Sequence, residues 1–317
     1  MRIAIIGGTG FIGGHLAHNL IQKGHKVNII SRGADKRDTS IRKLAGATFF
    51  SIGINDVDKL AEAFSGCDGV AHCAGINREI GKQTYQKVHI EGTQNVIDAA
   101  KLANVTRVLL ISFLNARPNC GSAYHESKWQ AEEIVRNSGL DYTVIKAGIT
   151  YGFGDHMLDH LSHAIYSLPL LASVGMKEKT IRPTAVEDLV RVMEVSLIEG
   201  RLSRKTVSVM GPDEFILSDV VKLVAKVINK KLFIFPMPVA FHYVIAWICE
   251  SLMNIPLVAK AQVRMLSEGI CDPLKGYDEL PEDLKPQIKL TEQQILKGLP
   301  KPGGFGLKDL LCSYCNN

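Results

Sequence analysis

The 317-residue sequence has no low-complexity tract, no repeat period and no dense run of one charge. These absences exclude disorder over most of the length, a solenoid, and the basic stripe of a nucleic-acid binder. Its longest apolar stretch, 238–258, is broken by His242, Glu250, Asn254 and Pro256, which makes it a poor transmembrane helix. It reads instead as a buried or membrane-surface helix. Framework cysteine spacing is also missing. The seven cysteines, Cys67, Cys73, Cys120, Cys249, Cys271, Cys312 and Cys315, are scattered and odd in number, as expected of free thiols in a reducing compartment. Cys312-x-x-Cys315 has no second pair or histidines beside it and reads as part of a tail. The first residues run straight into an apolar strand pattern with no cleavable leader pattern ahead of it, so a cytoplasmic location is the expectation.

The composition is that of a folded protein, with 46% hydrophobic and 22% charged residues and a net charge of +5, modest enough to be explained by an anionic ligand. Through the first half, short apolar runs alternate with helical periodicity. Strands are expected at Arg2–Ile6, Lys26–Ser31, Ala47–Ser51, Gly69–Cys73, Arg107–Ser112 and Tyr142–Ile145, and helices at Phe11–Lys23, Val57–Phe64, Lys82–Leu102 and Ser122–Asn137. Strands that are almost wholly apolar belong in a parallel sheet covered on both faces. The fold class is therefore α/β, a Rossmann-type doubly wound parallel sheet, followed by a smaller and mostly helical C-terminal lobe. Met237, Phe241, Trp247 and Met253 recur at helical spacing and read as core. The proline-rich stretch from Pro281 reads as an extended tail.

Gly7-Gly8-Thr9-Gly10-Phe11-Ile12-Gly13 leaves the first strand and opens a helix, which gives the glycine pattern a mechanism. Gly7 permits the tight turn, Gly10 lets backbone approach a pyrophosphate, and Gly13 packs helix on strand, with Thr9, Phe11 and Ile12 completing the loop. At the end of strand two, Ser31-Arg32 stands where an NAD site carries a carboxylate, with Lys36 and Arg37 close behind. A guanidinium binds phosphate bidentately, so NADP(H) is preferred to NAD(H) as the cofactor. Residues 1–150 are then expected to form the NAD(P)-binding domain. Residues 151–317 are the smaller substrate-covering lobe, with 181–210 packing back on the sheet.

Four motifs in order resemble the short-chain dehydrogenase/reductase superfamily in its extended or atypical branch. They are Gly7-x-x-Gly10-x-x-Gly13, the segment from Gly66 to Gly75, His89-Ile90-Glu91-Gly92-Thr93-Gln94-Asn95, and Tyr124-x-x-x-Lys128. Later, Tyr151-Gly152-Phe153-Gly154-Asp155 and the segment from Arg182 to Asp188 also resemble that branch. Within it, the run from Ile111 to Ala116 and the later lobe are most similar to the nucleotide-binding accessory subunits of respiratory complex I and their bacterial relatives. The resemblance implies cofactor contacts from Ala74, Gly75 and Lys128, and catalysis by Tyr124 and Lys128. On a helix that spacing puts both side chains on one face, where an ammonium would favour the phenolate of a group whose ordinary pKa is about 10.

Departures bear on chemistry. The family's carbonyl-polarising Ser or Thr after strand five falls at Leu114, which has no donor, leaving Ser112 or Asn115 as substitutes. The family's Arg-Pro is Lys146-Ala147, and the acidic residue after strand three is Ile54. His72 and His89 read as core histidines, and no metal site is expected. The leading reading is an NAD(P)-dependent oxidoreductase or epimerase-like enzyme using Tyr124, Lys128 and Ser112 on a small carbonyl or hydroxyl substrate. The alternative is a catalytically weak NADP(H)-binding structural or assembly protein with a respiratory-complex-type partner or a membrane surface as its docking site. A third is a sensor of the NADPH/NADP⁺ ratio, with the same site and no turnover. No nucleic-acid partner and no membrane span are expected.

Overall fold

The computed structural model describes residues 1–33, 40–253, 258–269 and 276–305. Lys36, Arg37, Cys271, Cys312 and Cys315 lie outside them. The chain divides into two compact units.

The first unit opens with β1 (Arg2–Ile6), α1 (Phe11–Gln22), β2 (Lys26–Ser31), β3 (Ala47–Ser51), α2 (Val57–Phe64) and β4 (Gly69–His72). It continues with α3 (Gly92–Leu102), β5 (Arg107–Phe113), α4 (Ala123–Arg136) and β6 (Asp141–Ala147). It includes two later stretches: Val186–Val209, and a segment of which 276–286 are described. The sheet is parallel throughout, in the order β11-β6-β5-β4-β1-β2-β3, with β11 at Lys205–Val209. Its first six strands have the order of a dinucleotide-binding sheet, whose direction of winding reverses between β1 and β4. Alternation along β1 sends Ile3 and Ile5 into one core with Leu16, Ala17 and Leu20 of α1, and Ala4 and Ile6 into a second with Leu60, Phe64, Val96 and Val135. Each helix buries its apolar stripe on one of these faces. An ion pair between Lys205 and Asp278, with Asp278 also accepting the Thr206 N–H, ties the late segment to the edge strand.

The second unit contains β7 (Thr150–Tyr151), α5 (His156–Ser167), β8 (Leu170–Val174), β9 (Thr180–Ile181), β10 (Thr184–Ala185), β12 (Phe215–Ile216), α7 (Leu217–Val227), β13 (Phe233–Met237), α8 (Val239–Leu252), α9 (Lys260–Glu268) and α10 (Glu292–Gly298). The remaining helix, α6 (Val186–Glu194), belongs to the first unit.

Three features differ from the sequence reading. The helix expected over 82–102 begins as a π-helical turn at Gln86–Glu91 and becomes α-helical at Gly92. A Cβ at Gly92 would lie 2.4 Å from Ile54 Cδ1, so the chain there packs tightly on Ile54, whose carbonyl accepts from Asn95. The stretch after Pro281 carries a 3₁₀ turn at Glu282–Leu284 and then α10, with Leu284 and Ile295 buried. Phe241 and Trp247 are not core: they are 60% and 59% exposed. The buried stripe of α8 is His242, Ala246 and Cys249, smaller residues one turn apart, and this turns the two aromatic rings outward.

Candidate functional site

The crevice at the carboxyl ends of β1 and β4 is built by glycine. Gly7 has φ +76°, and a Cβ there would stand 2.9 Å from the Ala74 backbone nitrogen. At Gly13 it would stand 2.4 Å from the Gly7 carbonyl oxygen. Only residues without side chains let the first turn, helix α1 and the loop after β4 approach this closely. Gly10 is the N-cap of α1 in extended conformation, its N–H donates to the Gly7 carbonyl, and no side chain caps the helix. The first-turn N–H groups of Phe11, Ile12 and Gly13 therefore face the crevice with the positive end of the helix dipole behind them, as an anionic phosphate requires. Ser31 ends β2, where its hydroxyl accepts from Thr9 Oγ1 at 2.9 Å and from the Gly33 N–H at 3.2 Å. Arg32 is exposed. Arg42, not singled out from sequence, donates to the Gly33 carbonyl and lies 4.6 Å over the Phe49 ring.

The second half of the site hangs on α4. Ser122 caps it by accepting the His125 N–H. Tyr124, Lys128, Glu132 and Arg136 follow at intervals of four, forming one stripe along the helix. Lys128 is 9% exposed and its ammonium donates to the Ile111 carbonyl at 3.3 Å. A Cβ on Gly75 would lie 2.9 Å from Lys128 Nζ, so Ala74-Gly75 and the lysine share one wall. Burial pushes the ammonium pKa down to about 8, against the opposing charge of Glu132 one turn on. Tyr124 is buried among the rings of Tyr85, His89, Phe113 and His125, with centroids 5.6–5.8 Å away. That enclosure raises the phenol above its ordinary range, and Tyr85 raises it further. The lowering expected from Lys128 is not found, because the ammonium is directed at Ile111 and Gly75. Tyr124 thus carries its proton at neutral pH and can donate it.

His89 joins the two halves. The Ile76 N–H donates to its Nε2 at 3.1 Å, so the ring proton sits on Nδ1, which donates to Ser127 Oγ at 2.8 Å. Ser127 in turn donates to the Tyr124 carbonyl. Burial, with Lys128 second, holds the imidazole neutral with its pKa pushed down to about 2. Among the described residues, no group of three or more His, Cys, Asp or Glu side chains is placed to hold a metal ion.

Ser112 faces elsewhere. It is 4% exposed, and its hydroxyl donates to Glu132 Oε1. Glu132 is paired with Lys146 at 2.8 Å, both side chains fully buried, and accepts from Arg136 on its other oxygen. Lys146 also donates to the Ala116 carbonyl and to Tyr277 Oη. Burial pushes the Lys146 pKa down. Leu114 has no exposed surface and its N–H donates to the Ala147 carbonyl. Nothing in the sequence reading anticipated this network. The available signal was a glutamate four residues beyond Lys128, on the helix face that must point inward.

The fold and the glycine crevice are those of a Rossmann-type NAD(P)-binding domain. Residues 7–152 match the family model described as NAD(P)H-binding. Over 93% of its length the chain is 23% identical to the mitochondrial NADH-ubiquinone oxidoreductase 40 kDa subunit of Neurospora crassa, covering 74% of that protein. It is 26% identical to subunit 9 of the rat mitochondrial NADH dehydrogenase [ubiquinone] 1 alpha subcomplex, covering 92% of this chain and 79% of that one. The fold is shared with the UDP-glucuronic acid 4-epimerase of Bacillus cereus, solved in complex with NAD, at a TM-score of 0.64 and 19% identity over 75% of this chain and 87% of the epimerase. No described helix is long and apolar enough to cross a membrane.

Proposed function

We propose that this chain holds NADP(H) as a lasting part of its structure, catalyses weakly at most, and acts as a structural or assembly protein. In this reading the N–H groups of Phe11, Ile12 and Gly13 receive the pyrophosphate, and Gly7 and Gly10 let it approach. Thr9, Ser31 and Arg32 face the adenosine ribose and its 2′-phosphate, while Ala74, Gly75 and Lys128 flank the second ribose. A bound nicotinamide would supply hydride chemistry. The observation that carries the reading is at Ser112 and Leu114. The only hydroxyl proton near the end of β5 in this pair is engaged by a buried carboxylate, and the other residue has none to give. Removing one such donor costs about 2.7–4 kcal/mol of barrier. The likeness of nine-tenths of the chain to complex I subunits supports a respiratory-complex-type partner, and its buried, unpaired thiols Cys67 and Cys249 suit a reducing, cytoplasmic setting.

One observation favours a second reading, an oxidoreductase or epimerase-like enzyme for a small carbonyl or hydroxyl compound. Tyr124 is protonated and one turn from Lys128, as a proton donor to a substrate oxygen would be. The two readings separate in one experiment. Nucleotide carried through purification is identified by mass spectrometry, and a panel of carbonyl substrates is followed by NADPH absorbance for the native chain and Tyr124→Phe. Retained NADP(H) that raises thermal stability without turnover is the expected result. Turnover that falls by about 10²- to 10⁴-fold in Tyr124→Phe establishes the enzyme instead.

A further inference from the structure

The second unit carries an apolar face that its own core leaves uncovered. Among the described residues, fourteen large hydrophobic side chains are exposed, and six of them stand on the single helix α8: Phe241, Val244, Ile245, Trp247, Ile248 and Leu252, at 40–62% exposure. The opposite side of the helix is seated. His242 approaches the Ala172 carbonyl of β8, and Ala246 packs with Val174 of β8 and Val263 of α9. β8 pairs with β13 in parallel register, so Leu170 and Phe233, both exposed, lie on the sheet face that α8 partly covers and extend the apolar area beyond it.

We propose that this face of α8 rests on the surface of an anionic lipid bilayer. The chemistry of the rim selects that occupant. Lys230 and Lys231 precede β13 at one end of the patch, and Lys177 follows Gly175 at the other, where a Gly175 Cβ would touch Val239 of α8. All three lysines are exposed, with stems long enough to reach headgroups while the apolar face sinks between them. The one acid on α8, Glu250, is neutralised by Lys260 at 3.6 Å and accepts the Lys260 N–H. The nearby Glu178 is turned to the Ser218 N–H. The face offers almost nothing for directional recognition: its one exposed hydroxyl, Ser251, donates to the Trp247 carbonyl. A protein partner of this area would be met by roughly one hydrogen bond per 100–200 Å², whereas acyl chains ask for none. At fourteen residues and about 21 Å, α8 is too short to span a hydrocarbon core of about 30 Å and long enough to lie in its interface.

The test uses the full chain with Trp129→Phe, which leaves Trp247 as the only tryptophan. It is mixed with phosphatidylcholine vesicles with and without a quarter phosphatidylglycerol, and both co-sedimentation and Trp247 emission are read. Expected are binding to the anionic vesicles, weakened by salt, and a blue shift of Trp247 that brominated acyl chains quench. Val244→Ser with Ile248→Ser should weaken binding about tenfold or more. Lys230→Gln with Lys231→Gln should weaken it about fivefold for each charge, on the anionic vesicles alone. Val244, Ile248, Lys230 and Lys231 are exposed, so thermal melts of these variants should match that of the Trp129→Phe parent, which keeps a loss of binding interpretable. Failure to bind either vesicle, binding that survives the Val244/Ile248 change, or an unshifted Trp247 would overturn the proposal. So would a dimer in solution that dissociates on the same change, since a second copy would then be the occupant.

Discussion

Lys128 is asked to do two things that conflict, and replacing it with methionine separates them. Its ammonium is buried with one long hydrogen bond to the Ile111 carbonyl. Lowering its pKa from the ordinary 10.5 to about 8 corresponds to roughly 3 kcal/mol of destabilisation, at about 1.36 kcal/mol for each factor of ten. Below pH 8 the lysine is protonated in both folded and unfolded chains, and the whole cost is present. Between about 8 and 10.5 only the unfolded chain keeps the proton, so folded stability rises with pH and the cost fades. Lys128→Met should therefore make the nucleotide-free protein more stable at neutral pH by about 2 kcal/mol, after about 1 kcal/mol for the lost hydrogen bond. At roughly 2 °C per kcal/mol for a chain of this size, its melting temperature rises by about 4 °C. The same variant should lose most of the stabilisation that NADPH confers, because a charge-assisted contact of about 1.5–3 kcal/mol is gone. Urea melts of both proteins with and without NADPH, from neutral pH to about pH 10, give all the quantities. A variant less stable than the native protein at neutral pH, or a difference between the two that does not narrow with alkalinity, would refute the strain assigned to Lys128.

Gly10→Val should leave the protein folded by circular dichroism and abolish nucleotide binding in calorimetry, since the side chain fills the space a pyrophosphate needs; normal binding would remove Gly10 from the phosphate loop. Native protein should bind NADPH more tightly than NADH, and Arg32→Asp should cost NADPH about 1.5–3 kcal/mol while sparing NADH; equal affinities in titration would refute the preference. Glu132→Ala strands Lys146 without its buried partner and should lower stability by about 3–5 kcal/mol in urea melts. A loss below about 1 kcal/mol would mean that the pair is not closed in solution.

The parallel sheet was legible because each strand is short, apolar and bounded by turn residues, and the glycine crevice because three glycines stand where backbone crowds backbone. The approach of Lys128 to Gly75 followed from the order of the motifs along the chain. What escaped reading depends on pairing across elements. Glu132 and Lys146 lie on a helix and a strand, and charges at such positions are usually solvated; only folding makes them neighbours. The outward turn of Phe241 and Trp247 was missed because large rings suggest a core, while the residues that seat α8 are His242, Ala246 and Cys249. The π-helical turn at 86–91 keeps a helical pattern in sequence and shows itself only through the contact of Gly92 with Ile54.

The nucleotide-binding unit is discontinuous along the chain: β11 and the segment reaching Pro286 close an edge of a sheet whose other strands are complete by Ala147. During synthesis at about 5–20 residues per second, roughly 3 to 12 s separate the emergence of β6 from that of β11, and roughly 7 to 26 s from that of the Asp278 carboxylate that fastens it. Until β11 emerges, the glycine loop is already made while β6 still presents a bare edge, the kind of surface on which nascent strands mispair. A dinucleotide captured in that interval would brace the six-stranded sheet while the rest of the chain is still being made.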